Sequence, residues 1–468
     1  MKKVLLVAPR VFDYSKCPSL AIAYLGAYLK RQGYEVRGVD EQYTGEDPFQ
    51  AVRDAEYLLV GISCECANET RALEIAKAAK SAGQTTVLGG LHPSLVREKT
   101  LDDACVDYGI LGEGDIALYK LCLALEGKLA FEEVPGLMYR DDGRVVCNEM
   151  EFIKDLDSMP FPDFTLSGIE KIDEFVPVLT SRGCQYRCAY CSTGSIWEGH
   201  WHVRSPENVV EEIEQAKKKY GTNRFHFCDE NLTGNTDRAV QLCELLIERN
   251  LNIKWWADEG VRADRGDLEF FRLLKRSGCQ LLTVAVESLS DEVLARMRKG
   301  ESSLDVTRAV KLAKEAGLRV GAYLMIGLPG SDYKTDLRTV RFACRHADWP
   351  VPWLTIPHHG TKLLEWVKRE SKLLVEPKDQ AVVNCVDQRA FFGTEAYPAR
   401  QVQKAWTIAR LTSGYPCHLM PLGARLPVQI WRALVNSLRY APLHTPILMF
   451  RVFRQIFRSA LDRLRRKG

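Results

Sequence analysis

Strand-like and helix-like runs alternate along this chain in two separate series, and that alternation limits the fold more than any other feature. In the first series, Val4–Ala8, Tyr34–Asp40, Tyr57–Ser63, Thr86–Leu88 and Asp107–Leu111 read as short apolar strands. Ser19–Arg31, closed by Gly33, Asn68–Ser81 and a run ending near Leu123 read as helices between them. Strands that alternate with helices build a parallel sheet, here of the doubly wound type. Such sheets take ligands outside the carboxyl ends of their strands. The second series repeats the pattern six times. Its strands are Val176–Ser181, Arg224–Cys228, Ile253–Ala257, Leu282–Glu287, Arg319–Ile326 and Trp353–Pro357, with helices such as Pro206–Tyr220 and Ser303–Ala316 between them. Between the series, Pro135–Met150 reads as a hairpin turning at Asp141-Asp142-Gly143, and Phe152–Phe164, punctuated by Pro160 and Pro162, as a linker. The expected fold is α/β, with units at 1–130, 131–172 and 173–365 and a mostly helical region at 366–468.

The second series opens on Ser181-Arg182-Gly183-Cys184-Gln185-Tyr186-Arg187-Cys188-Ala189-Tyr190-Cys191, a C-x3-C-x2-C loop with no fourth cysteine nearby. Three thiolates in one loop can hold three irons of a 4Fe–4S cube and leave the fourth open. A zinc ion would need one more Cys or His. His200 and His202 follow closely enough to keep that reading open on ligands alone. Fifteen cysteines in 468 residues are too sparse for a disulfide framework, which belongs to short secreted domains. Cys64 and Cys66 read as small buried residues, and Cys344 as helix core. The opening run Met1–Pro9 reads as a strand and not a leader, and no apolar stretch is long enough to cross a bilayer. The expected location is the reducing cytoplasm. A net charge of +3 and the lack of a recognisable binding module argue against nucleic acid as a partner.

The cysteine loop resembles the signature of the radical S-adenosylmethionine enzymes. The resemblance implies that Cys184, Cys188 and Cys191 hold a 4Fe–4S cluster whose open iron chelates S-adenosylmethionine, and that residues 173–365 form a partial (β/α)6 barrel. It implies further site residues at the strand ends. Asp229-Glu230 would meet the ammonium of S-adenosylmethionine, although the same segment also suits a helix N-cap. Glu287-Ser288, similar to a Gly-x-Glu-Ser pattern, would meet ribose hydroxyls or the amine. The turn Gly327-Leu328-Pro329-Gly330, followed by Ser331-Asp332 where the family has glutamate, would lie by adenine. Arg262 would fork onto a carboxylate, of a ligand or of the barrel rim.

Gly89-Gly90-Leu91-His92-Pro93 and Gly112-Glu113-Gly114-Asp115 are similar to the cobalamin-binding domain that precedes the barrel in one subgroup, so 1–130 is expected to be a Rossmann-like cobalamin domain. Glycine permits a flat ring to approach backbone. Many such domains carry Asp-x-His-x-x-Gly with a histidine under cobalt; here Asp40-Glu41-Gln42-Tyr43 has none. His92 therefore reads either as a cofactor contact or as a turn residue bonded to backbone.

The resemblance implies a deoxyadenosyl radical and, with methylcobalamin, methyl transfer to an unactivated carbon. Cyclisation or rearrangement beside a vestigial cobalamin domain, or a non-catalytic redox sensor, remains open at this point. The sequence singles out no catalytic acid, base or nucleophile. Expected partners are a small-molecule or lipid substrate and an external one-electron reductant such as flavodoxin or ferredoxin. Residues 425–468 hold ten basic residues against one acidic residue, Asp462. Phe450, Phe453, Ala460 and Leu464 fall on one helical face there, so this tail is expected either to touch a membrane surface or to pack on the barrel.

Overall fold

The computed structural model describes residues 2–11, 17–262, 264, 266–377 and 389–413. The first sheet contains β1 (Lys3–Ala8), β2 (Glu35–Asp40), β3 (Leu59–Ser63), β4 (Thr86–Gly89), β5 (Tyr108–Ile110), β6 (Leu137–Asp141) and β7 (Arg144–Cys147), in the order β2-β1-β3-β4-β5-β6-β7. β1 to β5 pair in parallel, as their nearly continuous apolar runs require of strands buried on both faces. The order reverses between β1 and β3, which opens a crevice above their carboxyl ends. β6 and β7 are the expected hairpin. They do not stand with the linker: β6 pairs antiparallel with β5 and extends the first sheet. The first unit thus runs past residue 130 and through the hairpin.

Beyond the linker come β8 (Val176–Val178), β9 (Ser181–Gly183), β10 (Trp201–Val203), β11 (Arg224–Phe227), β12 (Lys254–Val261), β13 (Cys279–Glu287), β14 (Arg319–Ile326) and β15 (Trp349–Leu354). Six of them form a parallel sheet in strict chain order, β8-β11-β12-β13-β14-β15, the expected partial barrel. β9 and β10 make a separate antiparallel ribbon that carries the cysteine loop. The sixth strand starts earlier than expected and ends at Leu354, before Pro357. The helix Ala399–Ser413 packs on β15 and on the helix Tyr333–His346. In that second helix the buried positions Asp336, Thr339, Val340 and Ala343 repeat at helical spacing, which leaves Cys344 exposed and not in the core. Cys64 and Cys66 are buried as expected.

The segment after the linker seats on the first unit at two glycines, Gly26 of the helix Leu20–Arg31 and Gly38 of β2. A side chain at Gly26 would stand 2.4 Å from Leu166, and one at Gly38 2.5 Å from Ser167. Across the same seam Arg182 pairs with Glu113 (2.8 Å) and Asp115 (2.7 Å), and Arg204, which pairs with Glu212 (2.5 Å) inside the barrel unit, donates to the Tyr24 hydroxyl at 3.4 Å. No helix among the described residues is long and apolar enough to cross a membrane. The basic tail lies outside the described residues.

Candidate functional site

The cysteine loop leaves β9 at Gly183, whose φ is +79° and where a Cβ would stand 2.4 Å from the His200 carbonyl oxygen. Only glycine fits there. The loop is closed by the short helix Ser192–Trp197 and returned by β10. Cys184, Cys188 and Cys191 are half-buried and not disulfide-bonded. Burial raises the Cys184 thiol and pushes Cys188 up to about 11, and the negative charge of Cys191 adds to both. Lys299 and Arg262 oppose this at Cys188, and Arg262 at Cys184. Two cations thus stand where three thiolates would form, which is the state a metal ligand needs. Among the described residues the three-donor group drawn within 4.8 Å, as one ion requires, is His226, Cys228 and Glu259, not the loop cysteines. His200 and His202 do not join the trio. They stack on each other and lie tilted against the Phe152 ring, and the His200 Nδ1 lies 2.8 Å from the Trp197 carbonyl oxygen. The loop's donor set fits the corners of a cluster better than a single zinc.

Behind the loop lies a buried charge network. β13 ends at Glu287, held at φ +59° where the pairing with β14 is irregular. A non-glycine residue in this region carries strain of about 1–3 kcal/mol and persists only where its surroundings hold it. Tyr190, between the second and third cysteines, donates its hydroxyl to Glu287 at 3.1 Å. Lys299 stands 3.8 Å from Glu287 and 3.3 Å from Glu301. Burial raises the Glu287 carboxyl, with Lys299 and Tyr190 pulling it back. Burial disfavours charge on Lys299 too, but Glu287 and Glu301 outweigh it and hold the ammonium raised. Arg262 donates to the carbonyls of Lys299 (2.6 Å) and Gly300 (3.0 Å), pairs with Asp264, and lies 3.6 Å over the Tyr186 ring. Its fork is spent on the rim, the second of its two sequence readings. Ser288 is buried beside Glu287, its hydroxyl accepting from Ser290 N–H at 3.2 Å.

Asp229 and Glu230 part company. Asp229 is buried and accepts from Thr180 N–H (3.1 Å), the Thr180 hydroxyl (2.7 Å) and the Ser181 hydroxyl (2.5 Å). It fixes the base of the cysteine loop, and the helix that follows is capped by Asn235 instead. Glu230 opens into the barrel mouth, yet the protein wall around it, and then Asp229, push its carboxyl up to about 7. The turn after β14 is pinned by Asp336, which accepts from Gly327 N–H (2.9 Å), Tyr397 (2.8 Å) and Ser331. Pro329 is buried in that turn. Sequence reasoning missed Lys299, Tyr190, Asp336 and Arg182 as members of this machinery. Two of them carried a signal: Tyr190 as the aromatic residue before the last cysteine of the loop, and Lys299 as one of two charged residues in Met297-Arg298-Lys299-Gly300.

The rim of the first sheet is built from absent side chains. A Cβ at Gly89 would meet no protein atom within 4 Å. Gly90 has φ +109°, and a Cβ there would stand 3.0 Å from the Cys64 carbonyl oxygen. Gly112, at φ +68°, faces Met150. His92 is buried, with N–H bonded to the Cys64 carbonyl at 3.0 Å, Nε2 3.4 Å from Glu69, and Nδ1 without a protein partner. It stands in the first turn of the short helix Leu91–Val96 and not in a loop, bonded to backbone as expected and with one ring nitrogen unspent. Glu113 does not stand open in this cleft: one carboxylate oxygen takes Arg182 and the other Ile153 N–H at 2.7 Å. The facing wall belongs to the barrel. Cys66, Leu91 and Leu95 pack with Ile196 and Trp197 of the helix that closes the cysteine loop, and the His92 ring meets His359 edge-on at 6.3 Å. Bare backbone beside an unspent imidazole nitrogen suits a flat macrocycle.

Residues 178–343 match the family model of the radical SAM superfamily, and residues 13–121 that of the B12 binding domain. An uncharacterized methyltransferase of Pyrococcus horikoshii is 29% identical over 391 residues, covering 80% of this chain and 84% of that protein. The cytidylyl-2-hydroxyethylphosphonate methyltransferase of Streptomyces wedmorensis is 27% identical over 393 residues, covering 70% and 73%. Among solved structures, the radical S-adenosylmethionine methyltransferase TsrM of Kitasatospora setae, with cobalamin and a [4Fe-4S] cluster bound, superposes with a TM-score of 0.70 at 18% identity, over 97% of this chain and 100% of that one. At that identity the likeness is one of fold.

Proposed function

Since this chain belongs to the radical SAM superfamily and carries a B12-binding domain ahead of its barrel, we propose that it is a cobalamin-dependent radical C-methyltransferase. One observation carries the reading: the short helix Leu91–Val96, which follows the glycine-lined rim, packs directly on the helix that closes the cysteine loop, so the two proposed cofactor places adjoin. Bound there, the cluster with S-adenosylmethionine would supply a hydrogen-abstracting 5′-deoxyadenosyl radical, and cobalamin a transferable methyl group. Cys184, Cys188 and Cys191 would hold the cluster, with Lys299 and Arg262 offsetting their charge.

Glu230, Glu287 and Ser288 are read as the S-adenosylmethionine side of the mouth. Glu230 is the open carboxylate for an ammonium, and Glu287 is aimed by its left-handed backbone and by Tyr190. Asp229 supports this side by fixing Thr180 and Ser181. Gly327 and Pro329 are read as the adenine side, with Asp336 keeping the turn closed. Gly89, Gly90, His92 and Gly112 are read as the corrin side, with Glu113 as their tie to the barrel. Leu91, Leu95, Ile196 and Trp197 pack together as an apolar contact between the two sides, which keeps water out of that junction.

Radical SAM enzymes act on a small-molecule substrate and draw on an external reductant; a flavodoxin or ferredoxin is the proposed donor here. The test is anaerobic reconstitution with iron, sulfide and hydroxocobalamin, gel filtration, then reduction with S-adenosylmethionine present. Retained corrin absorbance and 5′-deoxyadenosine are expected. Deoxyadenosine without corrin overturns the cobalamin reading and favours cyclisation or rearrangement. Neither product nor corrin leaves only an iron–sulfur sensor.

A further inference from the structure

A second group of metal-binding side chains lies in the barrel, and neither the cluster nor the corrin uses it. Along β11, Phe225 and Phe227 enter the hydrophobic core while His226 alternates to the other face, with Cys228 just past the strand end. A His226 ring nitrogen, the Cys228 Sγ and a Glu259 carboxylate oxygen lie within 4.8 Å of one another. Cys17, from the segment after β1, brings a second sulfur: its Sγ is 3.6 Å from His226 Nδ1, and that of Cys228 is 3.4 Å from the same nitrogen. On the other edge of the ring, Nε2 bonds Asp258 and lies 3.9 Å from the Glu259 carboxylate, which flanks the ring from that side. This is how protein metal sites orient a ligating imidazole: a carboxylate takes one N–H and turns the other nitrogen's lone pair to the ion.

The geometry points to a binding site for one zinc-class divalent cation, held by His226, Cys228, Cys17 and Glu259, with Asp258 positioning the imidazole. Two thiolates and an imidazole select a borderline-soft ion over magnesium or calcium, which take oxygen ligands. Cys17 belongs to the N-terminal unit and the others to the barrel. The ion would therefore clip Cys17 to β11 and β12, a tie across the seam in addition to those of Arg182 and of Arg204 with Tyr24.

The test uses the full chain carrying its cluster, titrated anaerobically with Zn2+ alone, passed through gel filtration and assayed for zinc and iron together. One zinc per chain with unchanged iron is expected. Cys228→Ser and His226→Ala should lose it, and Asp258→Asn should weaken binding by about 10–100-fold. Zinc that displaces iron, zinc retained equally by the Cys228→Ser and His226→Ala proteins, or no zinc in the parent overturns the site. Should the variants fold poorly, zinc-edge X-ray absorption of the parent decides alone. Sulfur scatterers near ~2.3 Å with nitrogen near ~2.0 Å are expected; a shell of oxygen only refutes it.

Discussion

The barrel mouth and the rim of the first sheet both lie at the carboxyl ends of parallel strands, yet they are built by opposite means. The mouth is crowded with ionisable groups that hold one another: Tyr190 on Glu287, Lys299 between Glu287 and Glu301, Arg262 on the Lys299 backbone. The rim is stripped: Gly89, Gly90 and Gly112 leave bare backbone, and the two charged residues in its motif, Glu113 and Asp115, have turned away to Arg182 at the seam. The contrast matches what each place would hold. A charged nucleotide sulfonium and a thiolate-bound cluster need electrostatic partners in a desolvated site. A broad neutral macrocycle needs area and clearance.

The strongest break of this comparison comes from the loop itself. If the mouth depends on its three sulfurs, replacing Cys184, Cys188 and Cys191 by alanine should remove the cluster's iron and reduce 5′-deoxyadenosine to the no-enzyme level, while hydroxocobalamin still binds. Loss of corrin binding in the same protein would mean that the two places are one site. Next in size is Arg182→Ala. It strands the buried Glu113 and Asp115 carboxylates without a partner, which should cost about 3–5 kcal/mol in thermal or denaturant unfolding. Were Glu113 a corrin residue and not a seam residue, stability would barely move and cobalamin affinity would fall instead.

A third test uses the mouth's own titration. Burial raises the Asp336 carboxyl from its ordinary value near 3.8 to about 6, against the hydrogen bonds it accepts from Ser331, Gly327 and Tyr397. The folded state therefore binds this proton more tightly than the unfolded chain. The stability this gives is fully present below the unfolded value and is lost as pH rises to about 6, a span worth ~3 kcal/mol at most. Chemical denaturation at pH 4 to 7 should show that slope in the parent and not in Asp336→Asn. Equal slopes would mean that Asp336 is already ionised throughout.

The same contrast explains what could be read from the chain beforehand. The strands of both sheets were legible because strands buried on both faces are continuous apolar runs, and the cysteine loop because its spacing is local. What escaped depends on distant pairing. The attachment of β6 to β5 follows from topology, not from the hairpin's own residues. Arg182 sits inside the signature loop, but its partners Glu113 and Asp115 lie nearly seventy residues earlier in another unit. The split between Asp229 and Glu230 arises in the irregular segment past the end of β11, where Asp229 is held by Thr180 and Ser181 while its neighbour stays exposed. At Glu287 only the register break with β14 and the positive φ mark the residue as special, and neither is written in Val-Glu-Ser.

The smallest effects on stability fall at the rim, and there they are the most discriminating. Gly90→Ala forces a side chain onto φ +109° and to 3.0 Å from the Cys64 carbonyl oxygen, so it should cost about 1–3 kcal/mol by backbone strain alone. Gly89→Ala meets no protein atom within 4 Å and has no left-handed backbone to strain, so unfolding should shift by no more than ~0.5 kcal/mol. The added methyl group would project into the clearance where the ring is proposed to lie. Equilibrium titration with hydroxocobalamin should then show weaker binding in a protein whose fold and cluster are unchanged. If Gly89→Ala binds the corrin as tightly as the parent, the clearance above this strand end is not where the ring lies, and the stripped rim has lost its explanation. If it binds weakly while Gly90→Ala, once corrected for stability, binds normally, the ring lies over Gly89 and the left-handed glycine only shapes the turn beneath it.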